Sequence, residues 1–205
     1  MLKGASLVVG SGETVAILGR NGSGKTTLLR IIATLLRPTR GSGTVFGNDL
    51  ARDPDAVRNR TGLLGHTNAL YPDLTAAENL GFTLRMLGRR FDQRSVESAL
   101  ETVDLAAHAN TRARGFSAGM QRRLALARLR LIAPDLLMLD EPYSSLDPEG
   151  TELVTGLVTE TRNKGGATIL VTHDVSRATR LADRIFSVDE GRIVPGVSTS
   201  TGSAE

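Results

Sequence analysis

Gly19-Arg20-Asn21-Gly22-Ser23-Gly24-Lys25-Thr26 fits the pattern G-x-x-x-x-G-K-[ST], with an apolar run before it and a helical pattern after it. A phosphate cradle requires those residue types at that spacing. Glycine lets the backbone wrap tightly and turn successive N–H groups inward, which makes an anion nest. The start of the following helix adds favourable partial charge. Lys25 is expected to reach the β- and γ-phosphates of a nucleoside triphosphate, and Thr26 to place its hydroxyl on Mg²⁺. Thr27 extends this candidate binding set. The alternative is a glycine-rich turn that binds nothing, against which the flanking strand and helix patterns speak.

Two acids and a histidine supply the remaining chemistry. Leu136-Leu137-Met138-Leu139 is an apolar run that ends in Asp140-Glu141. A buried strand there delivers Asp140 to the carboxyl edge of a sheet, where ligands of open α/β folds bind. Asp140 is the expected Mg²⁺ holder, through water. Glu141 is expected to act on the attacking water as general base or orienting group. His173 ends a second apolar run, Ile169-Leu170-Val171-Thr172, and is expected to bond the γ-phosphate and hold the water geometry with Glu141. Phe116-Ser117-Ala118-Gly119-Met120-Gln121 opens a helical pattern over 122–131. Ser117 is a natural N-cap, and the small residues after it let the helix start approach an anion. Taken alone, this stretch reads better as an ordinary capped helix.

The elements that must position these groups alternate along the chain. Short apolar runs at 15–18, 63–64, 136–139, 167–171 and 185–188 read as strands covered on both faces. Between them lie helical patterns, including 24–36 and 148–163, the latter with Asp147 as N-cap and Pro148 at its first position. Alternating strands and helices predict a doubly wound α/β domain. The segment 74–114 has no convincing strand, and Val96, Leu100 and Val103 fall on one helical face, so it is predicted to be an inserted helical lobe. The stretch 197–205 is Ser, Thr and Gly with little to bury and is expected to fray.

Composition narrows the functional classes. The 205 residues contain no cysteine, which excludes a disulfide framework and a thiolate metal site. No apolar run approaches the ~18 residues a membrane-spanning helix needs, so the chain is not itself a channel. Met1-Leu2-Lys3-Gly4 opens no signal-peptide core, and the expectation is a chain that stays in the cytosol. Net charge is +3, yet 81–130 holds ten Arg against four acids. That excess is either a solvated face or a surface for an acidic partner or lipid heads.

Taken together, the motifs resemble the ATP-binding-cassette family, the motor subunits of ABC transporters. Residues 19–26 match its Walker A loop, 136–140 with Glu141 its Walker B strand and catalytic acid, and Ser117–Met120 its signature. Ser145-Leu146-Asp147 matches its D-loop, and His173 its switch histidine. The resemblance implies a P-loop NTPase fold: a RecA-like core with an antiparallel β subdomain and an inserted helical subdomain. It spans about 1–196, with the lobe at about 74–114. It also implies ATP and Mg²⁺ as ligands, a homodimer across two ATP molecules with Ser117 and Gly119 acting in trans, and an integral membrane permease subunit as partner. The expected place is the cytoplasmic face of the cell membrane.

Three departures stand out. The usual Leu-Ser-Gly-Gly-Gln reads Phe116-Ser117-Ala118-Gly119-Met120 here. The family's Q-loop glutamine falls on His66, whose ring nitrogen can still contact Mg²⁺ or water. The strand and adenine-stacking aromatic that usually precede the region of Leu2 to Leu7 have no counterpart, so either adenine is held differently or, the favoured expectation, the natural start lies further upstream. Gly65-His66, the Ser-Ala-Gly of the signature, and Asp140-Glu141-Pro142-Tyr143 resemble the haem-exporter ATPases of cytochrome c maturation. ATPases that export drugs, lipids or polysaccharides remain the alternative.

A non-transport switch on nucleic acid or ribosomes usually carries two cassettes or long coiled-coil insertions. This chain has one cassette and no sustained heptads, so nucleic acid is not an expected partner. A subunit that holds ATP without turnover is another rival, disfavoured by intact Glu141 and His173. A GTPase would carry an Asn-Lys-x-Asp guanine reader, whereas Asn163-Lys164 is followed by Gly165-Gly166.

Overall fold

The elements follow the chain's alternation of apolar runs and helical patterns. A computed structural model describes residues 2–196. The stretch 197–205, expected to fray, lies outside them. In chain order the elements are β1 (Thr14–Leu18), α1 (Lys25–Ile32), β2 (Thr44–Val45), β3 (Asn48–Asp49), α2 (Pro54–Arg60), β4 (Thr61–Leu64), α3 (Ala76–Met86), α4 (Gln93–Thr102), α5 (Ala118–Ile132), β5 (Leu136–Asp140), α6 (Pro148–Asn163), β6 (Ala167–Val171), α7 (Val175–Leu181), β7 (Arg184–Asp189) and β8 (Arg192–Pro195).

The main sheet has the order β4-β5-β6-β1-β7-β8. Every pair is parallel except the hairpin β7–β8. The central strands are predominantly apolar because both faces are covered, and their period of two divides the side chains between two cores. Val15, Ile17, Met138, Ile169 and Val171 pack on one side with α1. Leu137, Leu139 and Leu170 pack on the other with α5 and α6.

The register decides where the chemistry goes. Asp140 lies opposite Val171, and Ile17 opposite the same Val171. Three strand ends therefore finish at one level of the carboxyl edge. Each releases its loop there: Gly19 onward from β1, Glu141 from β5, Thr172-His173 from β6. β1 lies between β6 and β7, at the kind of strand-order switch that leaves a crevice for a ligand.

The 74–114 lobe is helical, as its periodicity predicts. Thr75 caps α3 in a reciprocal box with Glu78, and Asp92 caps α4. Val96, Leu100 and Val103 are all buried. The one extended contact among the lobe's described residues is an isolated antiparallel bridge between Thr75 and Arg112. α5 joins the lobe to the sheet, packing on α3, α4, α6 and β4. Leu124, fully buried on α5, belongs to the core common to both parts. Leu124→Ala is expected to lower stability by about 3 kcal/mol, read as an earlier urea midpoint.

The helix over 24–36 and the basic stretch 81–130 differ from their sequence patterns. The helical pattern over 24–36 ends at Ile32, because Thr34 turns left-handed and the Leu35 N–H reaches back to the Arg30 carbonyl at 2.8 Å. Leu35 and Leu36 had extended the apolar pattern, yet both are exposed. The antiparallel β part appears among the described residues as the small hairpin β2–β3, turned by Phe46-Gly47, both at positive φ. The basic excess is also partly internal. Arg122 is buried, Arg123 pairs with Asp147, Arg128 donates to the Leu63 carbonyl and Arg130 pairs with Glu160. The exposed remainder is Arg85, Arg89, Arg90, Arg94, Arg112 and Arg114.

Candidate active site

The phosphate loop takes the shape its glycines permit. Gly19, Gly22 and Gly24 have φ of 147°, 80° and 110°, backbone that other residues rarely adopt. A Cβ on Gly19 would also stand 3.0 Å from the Val188 carbonyl. Lys25 is buried, and its Nζ donates to the carbonyls of Gly19 and Arg20 at 2.7 and 2.9 Å. The ammonium is thus folded under the loop it would serve. Arg20, Asn21 and Gly22 form the exposed outer rim. Ser23 Oγ is buried with no hydrogen-bond partner among the described residues, and a phosphate oxygen is an acceptor that would complete it.

Thr26 donates its hydroxyl to Asp140 Oδ2 at 2.7 Å, bringing together residues 114 positions apart. Asp140 is 2% exposed, and His66 Nε2 stands 3.6 Å from the same oxygen. The pair of hard oxygens suits Mg²⁺, which takes few protein ligands and fills its octahedron with substrate phosphate and water. Among the described residues no three His, Asp or Glu side chains gather as an all-protein metal cage.

Glu141 and His173 meet directly, with Nδ1 to Oε1 at 3.0 Å. Thr172 Oγ1 donates to Glu141 Oε2 at 3.3 Å. The backbone of Glu141 is left-handed, with φ of 47°. A non-glycine residue held there stores strain that its surroundings must over-determine. They do so: its N–H donates to the Val171 carbonyl, and its own carbonyl accepts from the Ser144 N–H and from Arg122 Nη2.

Ser117 caps α5, its hydroxyl accepting the Met120 N–H at 3.2 Å. Gly119 lies against the Ser145 carbonyl, close enough that a Cβ would stand 3.0 Å from it. The fold groups these two with the loop after β5, and neither hydrogen-bonds to residues 19–27 of its own chain among the described contacts. Asp147 caps α6 through the Gly150 N–H and pairs with Arg123. Those two interactions, the backbone one first, hold its carboxyl below the usual range.

The sequence reading missed Arg122. The signal was present: Arg122 precedes Leu126 by four positions and Leu129 by seven, so it falls on the buried stripe of α5. It forms part of the wall of a cavity of about 160 Å³ with His66, Asn68, Ala118, Glu141 and Ser144.

A glycine-lined phosphate loop at the carboxyl edge of a parallel sheet, faced by strand-end acids, defines a P-loop NTPase fold. The ABC transporter family model matches residues 2–144, and the chain belongs to that family, carrying its ATP-binding ATPase domain. Among its relatives, the daunorubicin resistance ATP-binding protein DrrA3 of Streptomyces coeruleorubidus is 42% identical over 195 residues. That match takes in 94% of this chain but 62% of DrrA3, so the chain spans about three-fifths of that relative's length. The cytochrome c biogenesis ATP-binding export protein CcmA 2 of Cupriavidus metallidurans is 38% identical over 174 residues, 84% of this chain and 82% of that protein. A solved ATP-binding cassette, dimeric in a post-hydrolysis state with ADP and Pi, superposes with a TM-score of 0.85 at 29% identity, over 94% of this chain and 88% of that one. No helix among the described residues is long and apolar enough to cross a membrane.

Proposed function

We propose that this chain is the ATP-hydrolysing subunit of an ABC transporter, powering a separate membrane-spanning partner from the cytoplasmic face. The observation that carries the reading is the convergence of Lys25, Thr26, Asp140, Glu141 and His173 on one sheet edge. Residues 19–27 bind the triphosphate, Lys25 exchanging its loop carbonyls for phosphate oxygens. Thr26 and Asp140 hold Mg²⁺, with His66 beside them; the ion supplies charge neutralisation at the phosphates. Glu141 takes the proton of the attacking water, and His173 holds both Glu141 and the γ-phosphate in line.

Two copies close head to tail over two ATP molecules, each copy's Ser117 and Gly119 contacting the ATP of the other. The dimeric state of the related cassette supports this, as does the separation of the signature from the chain's own phosphate loop. A mixing experiment tests it. Lys25→Ala and Ser117→Arg proteins are each expected to be inactive alone. Mixed, they pair so that one site carries both defects and the other none, returning about a quarter of the wild-type ATPase rate if pairing is random. No recovery overturns action in trans.

The exported substrate we assign is haem, for cytochrome c maturation. The supports are Gly65-His66, Ser117-Ala118-Gly119 and Pro142-Tyr143, together with the similarity to a cytochrome c biogenesis export protein. A second reading, drug export, rests on the 42% identity to a daunorubicin resistance protein. Purifying the chain with its membrane partner decides between them. A haem absorption band in the complex supports the first; a colourless complex whose ATPase responds to an anthracycline replaces it with the second.

A further inference from the structure

Arg122 is 4% exposed, and every N–H of its guanidinium is in use. Nε donates to the Pro142 carbonyl at 3.2 Å. Nη1 donates to the Gly65 carbonyl at 2.7 Å and to Asn68 Oδ1 at 3.2 Å. Nη2 donates to the carbonyls of Asp140 and Glu141 at 3.2 and 2.7 Å. Three successive carbonyls, from 140, 141 and 142, thus face one side chain. In an extended chain successive carbonyls point in alternate directions. The left-handed turn at Glu141 breaks that alternation, so the conformation that aims Glu141 is the one that lets Arg122 collect all three. The same guanidinium grips both ends of the short segment carrying His66.

None of its five bonds goes to a carboxylate. A buried charge without a direct ion pair is costly unless hydrogen bonds satisfy it, as five do here. Burial pushes the guanidinium's pKa down, while the nearby charges of Asp140 and Glu141 push it back up. Lysine offers one nitrogen and cannot reach both loops as a planar fork does.

We propose that Arg122 is a positioning residue for ATP hydrolysis: it holds Glu141 in its left-handed conformation and ties the His66 loop to it, so that the two respond as one unit. This rests on the ATPase reading above, so the wild-type protein is measured first. Absence of ATP binding and hydrolysis there refutes the function itself, before Arg122 is considered.

The test compares wild type with Arg122→Lys for kcat, for affinity toward a non-hydrolysable ATP analogue, and for thermal unfolding. It then repeats His66→Ala in both backgrounds. Arg122→Lys is expected to lower kcat at least about tenfold while analogue affinity stays within about twofold, the split expected of lost transition-state alignment. His66→Ala is expected to lower kcat at least about threefold less in the Arg122→Lys background than in wild type, the non-additivity of a shared unit. An unchanged kcat overturns the proposal. So does a kcat loss matched by lost affinity and an early, broad melt, and so do additive effects. Should Arg122→Lys fail to fold, Asn68→Ala decides, since it removes one side-chain acceptor and leaves the buried charge in place. A kcat reduced about threefold at unchanged affinity supports the tie; an unchanged kcat refutes it.

Discussion

Glu141→Gln is expected to lower ATP turnover at least a hundredfold, about 2.7 kcal/mol of transition-state stabilisation, while ATP affinity holds or tightens. The direction of each effect follows from the site. Glutamine keeps the shape of the side chain and an oxygen for His173, which lies 3.0 Å from Oε1. It removes the carboxylate that accepts the water proton, so the chemical step fails. It also removes one of two adjacent negative charges facing a polyanionic substrate, so binding is not impaired. In the proposed cycle, ATP that binds and is not cleaved keeps the paired state closed. A dimer is therefore expected to persist in gel filtration with ATP and to separate when ATP is withheld. An undiminished turnover rate would remove Glu141 from the mechanism and leave the role of general base vacant.

Lys25→Ala is expected to weaken ATP binding about a hundredfold, read as the shift in titrations with a fluorescent ATP analogue. The ammonium donates to two loop carbonyls, at 2.7 and 2.9 Å. Exchanging those acceptors for phosphate oxygens replaces neutral partners with charged ones, and a hydrogen bond to a charged group contributes about 1.5–3 kcal/mol. Every 1.4 kcal/mol is a factor of ten, so one to two such bonds account for the loss. The loop itself is expected to survive, since its turns are set by Gly19, Gly22 and Gly24 rather than by the lysine. Retained affinity would mean that the backbone N–H groups alone hold the phosphates.

The two variants separate two stages of one cycle. Lys25→Ala weakens loading, so on its own it is expected to pair only at higher ATP concentration. Glu141→Gln permits loading and blocks release. In the proposed cycle, work on a membrane partner needs both stages.

Much of this was legible in the residues, for physical reasons. Strands covered on both faces must be mostly apolar, and 167–171 reads directly as β6. Asp147 and Ser117 cap helices because a short oxygen-bearing side chain satisfies the free N–H groups of a first turn. Glycines at 19, 22 and 24 announce a tight anion loop because other side chains strain there. Such features concern neighbours along the chain, and a local pattern carries them.

Elsewhere the local pattern misled or fell silent. Leu35 and Leu36 prolong an apolar stretch, yet a left-handed Thr34 had already ended α1. Ten arginines in fifty residues read as a basic surface, while four of them serve inside the fold. The Thr26 hydroxyl on Asp140, the imidazole of His173 on Glu141, and the carbonyls of 65 and 140–142 on one guanidinium all depend on where strand ends meet. The loop pattern of 19–26 and the alternating α/β order could be read without coordinates, because both are written in residue types at short spacing. Which acid meets which histidine, and what Arg122 holds, came from how the strand ends pack. Gly65 and Arg122 are 57 positions apart, and strand pairing and register, rather than any nearby residue, bring them within a hydrogen bond.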